Sequence, residues 1–441
     1  MRILEVLSEV LGILLTPAVL LGSALVLLPH LPVRRLLNPK AFVRTLCDLP
    51  ENAETTPFMS LSTALAGTLG VGNITGVASA LMAGGAGAVF WMWAGAVFSI
   101  VVKYAEVALA VVFRRTSGNS RGYTGGAMYY IRDGLPGVRG IPYSAAASLG
   151  GLFAVLCCAN SLVTGNIVQS NAAACIFPER FRPVCGVLLG LLVTVSLCCG
   201  ARKIERITAR LMPPLTAVYI LIAVTILSRN AALLPEIFGD IFRSAFAPRA
   251  VFGGTVGFTV REGIRYGVMR GIFSNEAGCG TSPTAHASAD TKSPHHQACF
   301  GVVEVMFDTL ILCTLTALVL LTADKRFGIL PWKSSADAAS VTLGVFRALA
   351  GDAVCAVLSV SVVLFAYGTI LAQIYYGTAA IRFLTKKKLP LLLYFCVSAC
   401  GTAVGAVIPS SLMWTLADVL IGLMTVINCI VLVLLRHGLP D

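Results

Sequence analysis

The sequence predicts an all-α polytopic membrane protein. Hydrophobic residues make up 57% of its 441 residues and charged residues 12%, about half the charged share of a typical soluble domain. The apolar residues form runs of about 20, the length that a helix needs to cross a bilayer. One run is interrupted at residues 62–80 by glycines and by the polar side chains of Thr68 and Asn73. Hydrocarbon cannot satisfy freed backbone groups, so this interruption predicts a broken helix that is buried or lines a cavity.

About 11 transmembrane helices can be placed within one integral membrane domain. The first apolar run is too long for a signal peptide, acidic residues Glu5 and Glu9 come before it, and basic residues follow it. We therefore predict a retained N-terminal helix. The spans are expected at approximately residues 5–30, 58–84, 87–113, 143–176, 183–200, 204–228, 250–290, 296–323, 352–384, 389–409 and 411–435.

Lysine and arginine near the segment ends predict the orientation, because cytoplasmic loops carry an excess of them. Placing the N-terminus outside and the C-terminus inside puts more basic residues in the inner loops than in the outer ones. The inner set includes Arg34, Arg35, Arg121, Arg139, Arg202, Lys203, Lys386, Lys387 and Lys388. In the plasma (cytoplasmic) membrane, anionic lipid headgroups account for the net charge of +12, so no nucleic-acid partner is predicted.

The sequence motifs do not indicate an enzyme. The chain has no GxSxG, HExxH or GxxxxGK[ST] pattern, and its five histidines show no metal-ligand spacing. Most of the fourteen cysteines lie inside apolar runs, where cysteine packs as a small apolar residue, and no CxxC occurs. We predict no enzyme, no catalytic residue and no zinc or iron–sulfur site.

Two similar glycine-rich elements lie in the two halves of the chain. Gly-Val-Gly at 70–72 followed by Ala-Ser-Ala at 78–80 has a counterpart in Gly-Cys-Gly at 278–280 followed by Ala-Ser-Ala at 287–289. Interrupted helices at corresponding places in two halves point to a transporter built from inverted repeats. The alternative explanation is close helix packing through small residues.

The predicted architecture is a 5+5 inverted repeat with two broken helices and one extra N-terminal helix. Residues 1–57 would form the extra helix and a loop, 58–228 the first repeat and 229–441 the second. At each break, free N–H groups and the positive helix dipole suit a carboxylate, while carbonyl oxygens suit a small cation. A zwitterion with Na+ matches both ends, and a channel remains an alternative because broken helices also line selectivity filters.

Several motifs together resemble the alanine or glycine:cation symporters, also called sodium:alanine symporters. They are the run at 63–78, Phe-Trp-Met-Trp at 90–93, Lys-Tyr-Ala-Glu at 103–106, Gly-Ala-Met-Tyr-Tyr-Ile at 126–131, and SNEAGCGTSPTAHA at 274–287. The resemblance covers residues 55 to 435. It implies the leucine-transporter type of fold and Na+-coupled import of small neutral amino acids, alanine or glycine, by alternating access. Proton coupling occurs in some members.

The resemblance also implies the site residues. The substrate would be bound by the two unwound regions, by an amide on the third core helix and by the eighth core helix, which correspond to Gly67, Thr68, Gly70, Gly72, Asn73, Gln169, Asn275, Glu276, Gly278, Gly280 and Gln373. The Na+ ion would be bound by Ala66, Val71, Asn73 and Thr369. For Gln169 and Glu276 a purely structural role stays open. The other expected partners are membrane lipids, and a monomer is assumed.

The chain departs from the family pattern in the segment 364–377. Gly368 stands where serine is usual, Gln373 where tryptophan is usual and Thr378 where glutamate is usual. Loss of a hydroxyl ligand weakens the expected Na+ site, and an amide in place of an indole makes the pocket more polar. The alternatives are therefore proton coupling, another substrate such as glutamine, or a non-transporting sensor or channel with the same fold.

For the ionisable residues inside the apolar runs, we first expect structural roles such as ion pairs and hydrogen bonds. Lys103 and Glu106 are three residues apart on one helix, which predicts a local ion pair. His286 is expected to be a hydrogen-bonded core residue. Glu304 and Asp308 are four residues apart, so one of them would be protonated or bound to a cation unless hydrogen bonds hold both. The arginines at 261, 265 and 270 are expected to pair with acids or to gate.

Overall fold

The computed structural model describes residues 2–48, 50, 55–116, 122–138, 140–198, 201–247, 250–252, 256–334 and 336–440. Arg121 and Arg139, which were counted among the basic residues of the inner loops, lie outside these residues. The structure is almost entirely helical, as predicted. Its helices are α1 Arg2–Val10, α2 Thr16–Leu27, α3 Val33–Leu36, α4 Pro39–Cys47, α5 Pro57–Thr68, α6 Thr75–Gly84, α7 Gly87–Val112, α8 Ala127–Gly134, α9 Tyr143–Asn160, α10 Val168–Ala174, α11 Arg182–Cys198, α12 Ala201–Arg229, α13 Leu234–Phe246, α14 Val260–Asn275, α15 Pro283–His286, α16 Pro294–Val305, α17 Thr314–Phe327, α18 Ala338–Leu384, α19 Lys388–Gly405 and α20 Ser410–Leu434.

Shorter elements join or widen these helices. π-helical turns occupy Leu11–Leu15, Ser161–Ile167 and Met306–Cys313, and a 3₁₀ turn at Val71–Asn73 stands between α5 and α6. Two antiparallel hairpins lie between helices, with β1 Arg115–Thr116 paired to β2 Tyr123–Thr124 and β3 Ala250–Phe252 paired to β4 Val256–Phe258. π-turns are rare and often occur at functional sites, so their positions are relevant below.

Eight helical segments of the described chain are long and apolar enough to cross a membrane, or nine if the bent pair Pro57–Thr68 and Val71–Gly84 is counted as one span. The protein is therefore an integral membrane protein, but the predicted number of eleven is not confirmed. The eight are Gly87–Val112, Tyr143–Ala174, Glu179–Leu197, Arg210–Arg229, Pro294–Phe327, Ala338–Leu384, Lys388–Gly405 and Ser411–Leu434.

Two predicted spans account for the difference. The N-terminal run contributes only a shorter apolar helix, Thr16–His30. The run predicted at 250–290 does not begin as a helix, because β3 and β4 form a hairpin there and α14 starts at Val260. Helix α14 is 16 residues long and carries three arginines and one glutamate, which lower its hydropathy below that of a simple membrane helix.

The first break bends the chain by 57° between Pro57–Thr68 and Val71–Gly84. The second break follows α14, where Glu276 takes a left-handed conformation with φ of 52°. Gly278 and Gly280 continue it with φ of 82° and 77° before α15 begins. Both breaks predicted from glycine spacing are present. The division into residues 1–57, 58–228 and 229–441 and the inverted-repeat relation stay predictions.

The two broken helices pack against each other and against two long helices. Helix α14 contacts α5, α6 and α7, while α18 contacts α5, α9 and α12. Small residues permit the closest approach: a Cβ at Gly267 of α14 would overlap the carbonyl oxygen of Ala88 in α7. This packing brings both breaks to the centre of the helical core.

Candidate substrate and cation site

A small enclosed cavity lies between the two breaks. Its volume is about 10 Å³, roughly the space that one water molecule needs. Six of the predicted substrate residues line it: Gly67, Thr68, Gly72, Gln169, Glu276 and Gln373. Six further lining residues were not predicted: Asn160, Thr164, Ile272, Phe273, Cys279 and Ile421. Asn160 and Thr164 precede Gln169 on the same helical run, and that spacing alone could have suggested them.

At the first break, the side-chain amide of Gln169 bonds to a backbone N–H that a continuous helix would pair with a backbone carbonyl. The Val71 N–H donates to Oε1 of Gln169 over 3.1 Å, and Nε2 of Gln169 donates to the Thr164 carbonyl over 3.2 Å. Gly70 is required here because a Cβ would lie 2.5 Å from Thr369 Oγ1 and 2.7 Å from Gln169 Oε1. Gly70 therefore shapes the break without lining the cavity.

At the second break, the Glu276 carboxylate faces the cavity and is only 7% exposed. It accepts hydrogen bonds from Thr281 Oγ1 over 2.6 Å and from the Gln373 side-chain amide. These two donors are neutral, so they solvate the carboxylate without neutralising its charge. A buried carboxylate in this setting suits an ammonium group or another cation.

Several polar atoms near the cavity have no hydrogen-bond partner in the described part of the chain. They include Gln373 Oε1, Asn160 Oδ1 and the Tyr376 hydroxyl. A buried polar atom that lacks a partner costs about 1–3 kcal/mol, so a bound molecule that donates hydrogen bonds would recover that cost. The Tyr376 hydroxyl lies close to Gly67, where a Cβ would be 2.7 Å away.

The predicted cation residues do not all converge. Thr369 Oγ1 donates to the Ala66 carbonyl over 2.9 Å, which joins α18 to the end of α5. The Val71 carbonyl instead accepts from Thr75 Oγ1 over 2.8 Å. The Asn73 side chain donates to Ser274 and Asp308, on the other broken helix and on the π-turn Met306–Cys313. The structure therefore pairs Ala66 with Thr369 and groups Asn73 with Asp308.

At Gly368, where the family usually has serine, any side chain would require Met212 to move. A Cβ at this position would overlap the terminal methyl of Met212 from α12. The terminal methyl of a flexible methionine thus occupies the position that the Cβ of a residue beside Thr369 would take.

Three predicted substrate residues of the second break have other partners and do not line the cavity. Asn275 Nδ2 donates to Thr309 Oγ1 over 3.0 Å, and its Oδ1 accepts from the Ala277 N–H over 2.9 Å. The Gly278 carbonyl accepts from Asn428 Nδ2 over 2.9 Å. A Cβ at Gly280 would lie 2.7 Å from the Phe153 ring. These residues hold the shape of the break.

The predicted local pair of Lys103 and Glu106 is wrong. Lys103 Nζ lies 3.3 Å from Glu304 Oε1 and also donates to Ser282 Oγ over 2.5 Å. Glu106 accepts from Asn428 Nδ2 instead, over 2.5 Å. Sequence spacing identified two residues on one helix face, but α16 supplies the carboxylate that lies closer to the ammonium.

His286, Arg270 and Arg261 have structural partners, as expected, whereas Arg265 lies over the Tyr266 ring. His286 Nε2 lies 2.9 Å from Glu304 Oε2, and its Nδ1 lies 2.9 Å from Gln297 Nε2. Arg270 binds both carboxylate oxygens of Asp418, over 2.5 and 3.3 Å. Arg261 lies near Glu9 at 3.3 Å, in an exposed pair that contributes little to stability.

Two broken membrane helices around an enclosed polar cavity are the arrangement of a secondary active transporter. The model of the sodium:alanine symporter family matches residues 2–439. The chain belongs to the sodium:alanine symporter family.

Named relatives include the sodium/alanine symporter AgcS of Methanococcus maripaludis, which is 36% identical over 382 residues, covering 86% of this chain and 81% of the relative. The probable sodium/glutamine symporter GlnT of Bacillus subtilis is 31% identical, covering 86% of this chain and 76% of the relative. A solved structure of Mhp1, a nucleobase-cation-symport-1 family transporter in a closed conformation with bromovinylhydantoin bound, has a TM-score of 0.49 at 13% identity, covering 83% of this chain and 74% of that one.

Proposed function

We propose that this protein imports a small neutral amino acid together with Na+ by alternating access. The observation that carries the proposal is the enclosed cavity between the two breaks, with glycine backbone on one side and the Glu276 carboxylate on the other. Membership of the sodium:alanine symporter family supports Na+ as the coupling ion.

The two charged ends of an amino acid would find complementary groups. Its carboxylate would accept from the N–H groups of Gly72 and Asn73 in the turn Val71–Asn73, since the Val71 N–H already donates to Gln169. Its ammonium would pair with Glu276, which now accepts from the neutral Gln373 amide. A cation added beside the Gln373 amide would offset the cost of an uncompensated carboxylate at membrane depth, while Gln373 keeps the carboxylate in place.

Na+ would be bound where α18 meets the end of α5. The Ala66 carbonyl and the Thr369 hydroxyl are hard oxygen ligands 2.9 Å apart. A cation there would connect the first broken helix to α18, so it would favour the conformation in which this contact exists. Import would follow when both ligands have closed the cavity and the assembly opens to the other side, with the N-terminus outside and the C-terminus inside the plasma membrane.

A second candidate substrate is an amino acid whose side chain donates hydrogen bonds, such as glutamine. The observation that favours it is the pair of free acceptors, Gln373 Oε1 and Asn160 Oδ1. A methyl side chain would leave both without a partner. The primary amide of glutamine could donate to both, provided that the small closed cavity widens when the substrate enters.

The test is uptake into proteoliposomes of radiolabelled L-alanine, glycine and L-glutamine. One set receives an inward Na+ gradient and another an inward H+ gradient without Na+. We expect accumulation with Na+ only. Accumulation driven only by H+ would contradict Na+ coupling, and no accumulation of any of the three would contradict the proposed substrate class. Stronger uptake of glutamine than of alanine would favour the second candidate.

A further inference from the structure

Four basic side chains meet where α18 ends and α19 begins. Helix α18 ends at Leu384, α19 begins at Lys388, and residues 385–387 join them. All four basic residues of this group are exposed: Arg382, Lys386, Lys387 and Lys388. Like charges so close in sequence repel one another, so an anion placed among them would be stabilised.

The same four residues line a cavity of about 340 Å³. Ile381, Thr385 and Leu391 complete its lining. The volume falls within the range of about 300–1,000 Å³ that is usual for small-molecule sites. Basic residues next to a membrane helix are expected from the rule that orients such proteins, but that rule does not require them to surround a cavity. The cavity therefore points to a bound group.

The chain supplies no counter-charge to this basic cluster. No acidic residue occurs in the sequence between Asp352 and Asp418. Within the described part of the chain, none of the four basic side chains forms an ion pair. The exposed Lys325, in contrast, lies 2.7 Å from both Glu236 and Asp240. The positive charge between α18 and α19 is thus available to an anion from outside the chain.

An exposed apolar face of α19 begins next to the cavity. Its side chains recur at a spacing of three and four residues and are between 51% and 64% exposed: Leu389, Leu392, Leu393 and Val397. The buried side chains of α19 lie on another face, at Tyr394, Ser398 and Thr402. Helix α19 is apolar and long enough to cross the membrane, so acyl chains of lipids contact its exposed face.

We propose that Arg382, Lys386, Lys387 and Lys388 bind the phosphate of an anionic phospholipid whose acyl chains lie along the exposed face of α19. Arginine can bind phosphate oxygens in pairs, and lysine contributes a compact charge. Basic pockets between membrane helices are suited to anionic lipid headgroups. A free phosphate would contact only the cations, whereas a phospholipid also covers the leucines beside them. The site is independent of the transported substrate and of the coupling ion.

The bound lipid would hold together two helices that the loop alone connects at this end. Arg382 belongs to α18 and Lys388 to α19, so one headgroup that contacts both joins the helices. Gln373 of the substrate cavity lies on the same helix as Arg382, about 14 Å away along the helix axis. We therefore expect the lipid to stabilise the folded protein at the end of a helix that carries a cavity residue.

The test is thermal unfolding of the purified full-length protein in an uncharged detergent with added dihexanoylphosphatidylglycerol. Dihexanoylphosphatidylcholine is the lipid control, because it has the same acyl chains and no net charge. A ligand that binds only the folded state raises the Tm in a concentration-dependent way. We expect the phosphatidylglycerol to raise the wild-type Tm and the phosphatidylcholine to leave it nearly unchanged. The double variant Lys386→Gln/Lys387→Gln should need at least about tenfold more phosphatidylglycerol for the same rise, because each basic residue attracts the anionic lipid.

The matched control is Arg34→Gln/Lys40→Gln, which removes the same charge from two exposed residues that do not line the cavity. It should keep the wild-type response. Equal weakening in both double variants would show attraction to overall charge and would overturn the site, as would a wild-type response in Lys386→Gln/Lys387→Gln. If that variant does not fold, Leu391→Trp keeps every charge and fills the cavity. It should need at least about threefold more phosphatidylglycerol, and a wild-type response there would also overturn the site.

Inorganic phosphate distinguishes a lipid headgroup from a free anion. In this arm potassium phosphate replaces potassium chloride at constant ionic strength, without added lipid. Phosphate should raise the Tm less than phosphatidylglycerol at equal concentration, because it cannot cover Leu389 and Leu392. An equal or larger rise with phosphate would overturn the assignment to a lipid. Equal rises with the two lipids, or no rise with phosphatidylglycerol, would overturn the assignment to an anionic headgroup.

Discussion

Gln373 donates its side-chain amide to the Glu276 carboxylate and so connects α18 to the second helix break. The two residues are 97 positions apart and both line the cavity. The family usually has tryptophan at the position of Gln373, and an indole offers one donor and no acceptor. In this chain the amide leaves an acceptor free beside the cavity. The Gln373 side chain therefore has two effects: its amide N–H holds Glu276 at the second break, and its amide oxygen makes the substrate site more polar.

Replacement of Gln373 by alanine should weaken substrate binding. Glu276 would lose one of the two hydrogen-bond donors that the described residues supply, and a hydrogen bond to a charged group contributes about 1.5–3 kcal/mol. We expect the KM for uptake to rise about tenfold or more with normal expression in the membrane. Ser359→Ala on the same helix is the control, because within the described part of the chain Ser359 bonds only to the Cys355 carbonyl of its own helix. An unchanged KM in Gln373→Ala would contradict the role of this pair.

Alanine at Gly70 should abolish uptake. The added Cβ would lie 2.5 Å from Thr369 Oγ1 and 2.7 Å from Gln169 Oε1, so the first break would have to move. Gly76→Ala is a matched control in the neighbouring helix α6, because a Cβ there meets nothing within 4 Å. The control should retain uptake and gain about 0.5–1 kcal/mol of stability from its better helix propensity. Equal uptake by both variants would show that the break tolerates displacement at Gly70.

The effect of Gly368→Ser on uptake should depend on Met212. The substitution should weaken uptake when Met212 is present and lower the Na+ requirement when Met212 is replaced by alanine. In Gly368→Ser the new side chain overlaps the Met212 methyl, so we expect a lower Tm and weaker uptake. With Met212→Ala in addition, the hydroxyl has room beside Thr369 and adds an oxygen ligand near the Ala66 carbonyl. The double variant should therefore need less Na+ for half-maximal uptake than Met212→Ala alone. If the two need the same amount of Na+, the region around Thr369 does not bind the ion.

Removal of one member of the buried pair of Lys103 and Glu304 should cost more than removal of both. The side chains of both residues are 0% exposed, and a buried charge without its partner costs about 3–5 kcal/mol. We expect Lys103→Met and Glu304→Gln each to lower the Tm strongly, and the double variant to recover part of the loss. Thermal unfolding of all four proteins gives the coupling energy as a double-mutant cycle. Additive losses would show that the pair is not coupled.

The membrane class and the two helix breaks could be predicted from the sequence for physical reasons. Hydrocarbon admits only long apolar helices, so run lengths alone indicated spans, and the glycines at 70–72 and 278–280 marked the places where helices cannot continue. The span predicted at 250–290 shows the limit of this approach. Mean hydropathy does not distinguish a short hairpin from a helix, and the β3 and β4 pairing depends on hydrogen bonds between strands.

Residue types at the site were predictable, but their partners were not. Gln169, Glu276 and Gln373 were expected at the substrate from the family resemblance, and all three line the cavity. Asn73 was expected to bind a cation together with Thr369. Its side-chain amide instead donates to Asp308, 235 positions away. That choice depends on how α14 and the π-turn Met306–Cys313 pack against the first break.

The sequence by itself determined that this chain spans a membrane, where its helices break and which family it belongs to. Only the tertiary structure decided that Lys103 pairs with Glu304, that Met212 fills the space beside Gly368 and that Asp308 meets Asn73. The physical reason is that hydropathy and backbone freedom are properties of local sequence. Hydrogen bonds and ion pairs depend on distances of a few ångströms between residues that the packing of whole helices brings together.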